Sequence, residues 1–220
     1  MKRLLLLVAA CACAASARPL DSFPGISCDA DTDCFYVPAS VGTDTVPALL
    51  VLHCNGALPI DLDTLRGVGD SLGWVMASCH GTRNHRDLML NDADISGTLD
   101  KLVRDCPVDR ERVFVFGFSG QGVQALATLY LHPDRVRGVV SVCGHRGANE
   151  LADRDALQGR LAYLVTREED WNRGENEQMY AELNSNGMVA ELLVTPGEHG
   201  PGSWLELLAA CRWLEARSSD

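Results

Sequence analysis

Ser119 lies in the run 113–122, VFVFGFSGQG, where four β-branched or aromatic residues lead straight into a glycine-flanked serine. A helical pattern begins at the next residue. A strand-to-helix turn this sharp forces the serine into a backbone conformation most residues avoid. It lifts the hydroxyl clear of the sheet and aims backbone N–H groups at the start of the helix, where a negatively charged oxygen can be held. Gly117 and Ser119 fit the spacing G-x-S-x-G; the third position departs from it, because Gln121 stands there and Gly122 follows one residue late. The plain alternative is a glycine-rich turn that packs a helix on a sheet.

A serine hydroxyl is a poor nucleophile unless a base takes its proton, and the base needs an acid to fix its tautomer. In one recurring arrangement the chain order is Ser, then Asp or Glu, then His. Of the six histidines, His145 and His199 lie beyond Ser119 in loop-like surroundings, whereas His132 closes a helical run beside Pro133. His199 stands in TPGEHGPG (195–202), after the last apolar run. His145 follows an earlier run and leaves no strand between itself and Ser119 to supply an acid. His199 is the expected base; an incidental loop histidine is the alternative. The acid is expected in REEDWN (167–172), with Asp170 the first choice and Glu169 and Glu168 the fallbacks. A solvated acidic loop is the competing reading for each. Two N–H donors would hold the oxyanion: Gly120, and Asn55 in the loop HCNGA (53–57), with Cys54 as the alternative to Asn55 and His53 a structural residue of that turn. Cys79, His80 and His85 share one loop without a recognised metal-ligand spacing, and no C-x-x-C pair occurs.

These residues need a scaffold that brings them to one rim. Short apolar runs at 48–53, 74–78, 113–116, 136–143, 161–166 and 189–195 read as buried strands. Between them, helical periodicity covers 94–104, 120–131, 175–184 and 204–216. Strands alternating with helices predict an α/β fold: a mostly parallel sheet flanked by helices, with residues 35–220 as one domain and no room for a large cap. In such sheets ligands bind outside the carboxyl ends of the strands. Residues 18–34 read as an irregular arm, and the loop 79–91 as polar and long enough to overhang a site.

The chain has 220 residues, 46% hydrophobic and 22% charged, enough for one real core. Its formal net charge of -11 makes nucleic acid and anionic lipid poor partners. Residues 1–17 read as a signal peptide: a basic MKR, an apolar run of eleven residues too short to span a bilayer, and A-x-A ending at Ala17. The expectation is a secreted or periplasmic protein; the alternative is a bacterial lipoprotein anchored at Cys11. Outside the cell the remaining cysteines can oxidise, and Cys28 and Cys34, flanking a short polar loop, are the plausible local bridge.

Taken together, LLVLHCNGA, VDRERVFVFGFSGQG, LYLHPDRVRGVVSVCG, YLVTREEDWN and VTPGEHG resemble the α/β-hydrolase superfamily over residues 45–213. The nearest resemblance is to small esterases of the dienelactone-hydrolase, phospholipase/carboxylesterase and secreted polyhydroxybutyrate-depolymerase or feruloyl-esterase kinds. The resemblance implies a serine esterase that works through an acyl-enzyme on a small-molecule or polymer-end ester, with no metal or organic cofactor. Gln121 and Cys54 depart from the pattern at places where glycine is usual. Two rivals follow: a binding protein with a degraded site, and a peptidase or acyltransferase on the same residues.

Overall fold

A computed structural model describes residues 18–19, 25–147 and 155–218. The signal-peptide and Cys11 expectations lie outside the described residues. The order of elements is β1 (Arg18–Pro19), β2 (Ile26–Cys28), β3 (Cys34–Tyr36), β4 (Val46–Leu52), α1 (Pro59–Leu72), β5 (Val75–Cys79), α2 (Leu88–Asp105), β6 (Val108–Phe118), α3 (Gly120–Leu131), β7 (Gly138–Val142), β8 (Leu161–Arg167), α4 (Arg173–Ser185), β9 (Val189–Thr195) and α5 (Trp204–Ser218). The nine strands form one sheet in the order β1-β2-β3-β5-β4-β6-β7-β8-β9. From β5 to β9 all neighbours are parallel; β1, β2 and β3 extend the β5 edge in antiparallel fashion.

The central strands are buried on both faces, which is why they read as continuous apolar runs rather than alternating ones. One face is covered by α2, α3 and α4, through Leu99, Leu102, Leu126, Leu129, Met179 and Leu183. The other is covered by α1 and α5, through Leu62, Val68, Leu207 and Leu214. Trp74, fully buried, stacks on Phe114 of the central strand with ring centroids 5.1 Å apart.

Two elements and one loop differ from the sequence expectation. Among its described residues the 18–34 stretch is not an irregular arm: β2 pairs with β3, with Cys28 opposite Cys34 and a disulfide between them. The intervening Asp29, Asp31 and Asp33 converge on Lys101 of α2 at 2.7–3.0 Å, and Asp33 also takes Thr98 Oγ1 and the His80 N–H. Charge and covalent closure here add to the burial of Ile26, Phe35 and Tyr36. The second difference is α1. Its signals are present at Pro59, at Asp61 accepting the Leu58 N–H (2.8 Å), and at Leu62, Leu65 and Leu72. The overhanging loop is also shorter than expected, because Asp87 caps α2 by accepting the N–H groups of Met89 and Leu90.

The parallel order 5-4-6-7-8-9 reverses direction between β4 and β6. Connections leave to opposite sides there, and the crevice at the carboxyl ends of these two strands is the natural ligand position of such a sheet. Both the 53–57 loop and Ser119 open onto it.

Candidate active site

Ser119 ends β6 and precedes α3 with φ 55° and ψ -124°, a conformation only glycine adopts freely. It is held there by its own N–H, which donates to Val142 O (2.8 Å), and by its carbonyl, which accepts from Gly122 N (2.9 Å). Any Cβ at Gly117 would strike the Gln121 carbonyl, which explains the first glycine of the motif. The second close approach falls at Gly122, where a Cβ would lie 2.7 Å from Ser141 Oγ and 3.1 Å from Gly144 Cα. The displaced glycine of the sequence pattern is therefore the one that lets α3 sit against the end of β7. Gln121 occupies a buried gap instead, where its Nε2 donates to Asn84 Oδ1 (3.2 Å).

His199 Nε2 lies 3.0 Å from Ser119 Oγ, and His199 Nδ1 lies 2.9 Å from Asp170 Oδ1. With Nδ1–H donating to the carboxylate, Nε2 is left as the acceptor for the serine proton. Asp170 is buried and follows β8; Thr166 Oγ1 donates to its Oδ2 (3.1 Å) and the Asn172 N–H to its Oδ1 (3.3 Å). Burial works against the ionised form, but hydrogen bonds from Cys143, His199 and Asn172 outweigh it and hold the carboxyl below the usual carboxylate range. Glu168 and Glu169, the fallbacks, are exposed; their backbone N–H groups donate to Thr195 O and Gly197 O, and neither carboxylate bonds to His199. His145 makes no hydrogen bond to Ser119; its Nδ1 accepts the Gly147 N–H (3.0 Å) and stands 4.0 Å from Glu175.

The His199 loop is anchored from below. Arg167, buried at the end of β8, pairs with Glu206 of α5 (2.7 Å) and donates to Gly200 O (3.4 Å). Cys143, buried at φ 48°, presses its thiol against the same Gly200 carbonyl (3.4 Å). The candidate ligand atoms of Cys143, Asp170 and His199 all lie within 4.8 Å of one another, the one such cluster among the described residues. Asn172 Nδ2 clamps the strained turn by donating to the carbonyls of Cys143 and Gly144, both at 2.8 Å. Cys143, Asn172 and Asn84 carried no signal in the sequence, because each matters only through contacts made after folding. Above the imidazole, the largely exposed Trp171 stacks at 5.6 Å with 27° between planes, and Phe118 packs on another side at 5.1 Å.

Of the two expected oxyanion donors, Gly120 is free: it opens α3, and no acceptor takes its N–H among the described residues. The Asn55 N–H instead donates to His53 Nδ1 within its own turn, at 3.3 Å. Cys54 turns its thiol to Phe118 O (3.3 Å), and burial pushes that thiol's pKa up. Gly56 is required because a Cβ at its φ of 85° would come within 2.6 Å of His80 O. His80 faces Ala57 O (3.0 Å) and His85 lines the cleft beside Ser119, so Cys79, His80 and His85 form no common metal site.

A polar cleft of about 320 Å³ opens on Ser119 and Gly120 from the α2 side. A second, more apolar cleft of about 400 Å³ runs beneath the His199 loop, past Phe116, Phe118 and Leu207. No described helix is long and apolar enough to cross a membrane.

No family model and no curated protein matches the sequence. Solved structures do match the fold. A Bacillus cereus carboxylesterase superposes with a TM-score of 0.66 at 20% identity, covering 89% of this chain and 96% of its own. A Pyrobaculum calidifontis esterase gives 0.66 at 18%, covering 90% and 83%, and a ferulic acid esterase 0.67 at 14%, covering 85% and 91%. The chain also spans 33% of the length of a chain assigned as a dipeptidyl aminopeptidase IV from Bacteroides ovatus, with 14% identity. With six parallel strands, a serine on the turn after β6 and this set of structural neighbours, the chain has the α/β-hydrolase fold.

Proposed function

We propose that this protein is an exported serine hydrolase that cleaves carboxylic esters through an acyl-enzyme. The observation that carries the reading is the hydrogen-bonded sequence Ser119–His199–Asp170 mounted on a strained turn. Ser119 Oγ attacks the ester carbonyl as His199 Nε2 takes its proton. Asp170 holds the imidazole and stabilises the imidazolium. The Gly120 N–H stabilises the tetrahedral oxyanion, and the Asn55 N–H joins it by leaving its long contact with His53; such bonds commonly tighten only when substrate is present. The intermediate collapses, the alkoxide leaves with the proton from His199, and the acyl group stays on Ser119. Water then attacks the acyl-enzyme, giving its proton to His199 and releasing the acid and free serine.

Export is supported by the basic-apolar-A-x-A leader and by the Cys28–Cys34 disulfide, a bond of oxidising compartments. Mass spectrometry of the mature protein should find Arg18 at its start; a lipidated Cys11 would favour the lipoprotein alternative, and an intact Met1 would rule out both.

Short p-nitrophenyl esters test the activity. Wild type should turn them over, and Ser119→Ala should lose at least about a thousandfold in kcat. A peptidase is the second reading, favoured by the aminopeptidase among the neighbours. Faster cleavage of aminoacyl amides than of the esters would select it. A folded protein that hydrolyses neither would be a binding protein on a hydrolase scaffold.

A further inference from the structure

We propose that the cleft beside Ser119 takes esters that carry a free carboxylate, and that Arg83 is the residue that holds it. The inference rests on the ester-hydrolase reading above and adds the substrate class to it.

The cleft is walled by Arg83, His85, Arg86 and His145 around Ser119. Among the described residues no Asp or Glu lines it, although the chain as a whole carries a formal charge of -11. With Arg86 paired to Asp94, the Arg83 charge is what makes the local sign opposite to that of the molecule, so an anionic substrate repelled by the general surface is favoured here.

The two arginines differ in what they are free to do. Arg86 is engaged: its Nη1 donates to the Asp94 carboxylate, to Gly81 O (2.8 Å) and to Asn91 Oδ1 (3.4 Å). Arg83 is fixed only through its backbone. Its N–H donates to Asn91 Oδ1 (3.2 Å) and its carbonyl accepts from Asn91 Nδ2 (3.0 Å). Asn91 is 3% exposed and donates a further bond to Gln124 Oε1 (3.2 Å), so the clamp is rooted in the protein interior. The Arg83 side chain is exposed, and its guanidinium meets no acceptor among the described residues. A buried asparagine therefore holds the backbone of a cation whose planar fork is unclaimed and which lines the same cleft as the serine.

A guanidinium fork matches a carboxylate in bidentate geometry. A cleft of about 320 Å³ admits a short carbon chain between that carboxylate and the scissile carbonyl. The class is the half-esters of short dicarboxylic acids and the acyl esters of short hydroxy acids.

Two matched pairs of probes test this. Mono-4-nitrophenyl succinate is compared with its methyl ester by nitrophenol release, and O-butyrylglycolate with its methyl ester by butyrate release. kcat/KM is measured for wild type, Arg83→Gln and Arg83→Glu. Wild type should favour the acid in at least one pair by about tenfold, the lower end of what a hydrogen bond to a charged group contributes. The preference should vanish in Arg83→Gln, reverse in Arg83→Glu, and shrink in wild type as salt rises from about 0.05 to about 0.5 M. Turnover of the neutral esters with no preference in either pair, or a preference that survives Arg83→Gln, overturns the carboxylate site alone. No turnover of any probe, with Ser119 also unlabelled by a fluorophosphonate, overturns the hydrolase reading and this inference with it.

Discussion

His199 Nε2 sits 3.0 Å from Ser119 Oγ although 80 positions separate the two in the chain. The contact is a product of topology. Ser119 follows a central strand, Asp170 follows β8 and His199 follows β9, and parallel strands deliver all three to the same edge of the sheet. Two further devices set the last ångström: the strained turn at Ser119, and the Arg167–Glu206 pair beneath the His199 loop.

Asp170→Asn should preserve the fold and lose about 10⁴ in kcat, because an amide cannot select the Nδ1–H tautomer of His199 or stabilise its protonated form. Esterase assays alongside a circular dichroism spectrum check both halves. An active variant would move the acid elsewhere.

Cys143→Ala should make the protein more sensitive to acid. The Asp170 carboxyl is held low against the opposing effect of burial, and the Cys143 thiol is one of its donors. A group whose folded pKa lies below its unfolded value, near about 3.9 for Asp, adds stability at higher pH and loses it as pH falls through the folded value. Removing the thiol raises the folded pKa, so less stability is added and acid unfolding begins at higher pH. The expected cost at neutral pH is about 1 kcal/mol, and Cys143→Ser, which keeps a donor, should recover most of it. Acid titrations of the far-UV signal compare the three proteins.

Ser119→Gly should abolish turnover and stabilise the fold. The serine holds φ 55° and ψ -124°, where glycine is unstrained. Relief of about 1 kcal/mol is expected in urea unfolding. A destabilised variant would mean that the turn carries no strain.

Gly122→Ala and Gly97→Ala should act in opposite directions. The first puts a Cβ 2.7 Å from Ser141 Oγ and 3.1 Å from the Gly144 backbone, which should cost about 1–3 kcal/mol and displace the Ser119 turn. The second meets nothing within 4 Å inside α2 and should stabilise by up to about 1 kcal/mol. Thermal unfolding and esterase activity, measured together, separate the two.

Most of the scaffold was legible because its strands are buried on both faces and so appear as unbroken apolar runs. Ser119, Asp170 and His199 were legible because each closes such a run in a loop of small or polar residues. The β2–β3 hairpin was not, since its strands have three residues each, too few to show a period, and a disulfide and three carboxylates around Lys101 help to hold it. Gln121 departs from the motif without cost to the turn, because Gly122 makes the close approach to β7. The orientation of the Asn55 N–H toward His53 lies beyond sequence, because it depends on the local twist of a five-residue turn.

The most direct test is fluorophosphonate labelling of the folded protein followed by peptide mass spectrometry. One equivalent on Ser119, slowed by several orders of magnitude in His199→Ala and absent in Ser119→Ala, is the predicted result. Labelling that bypasses Ser119, or none at all in a protein shown to be folded, would contradict the account.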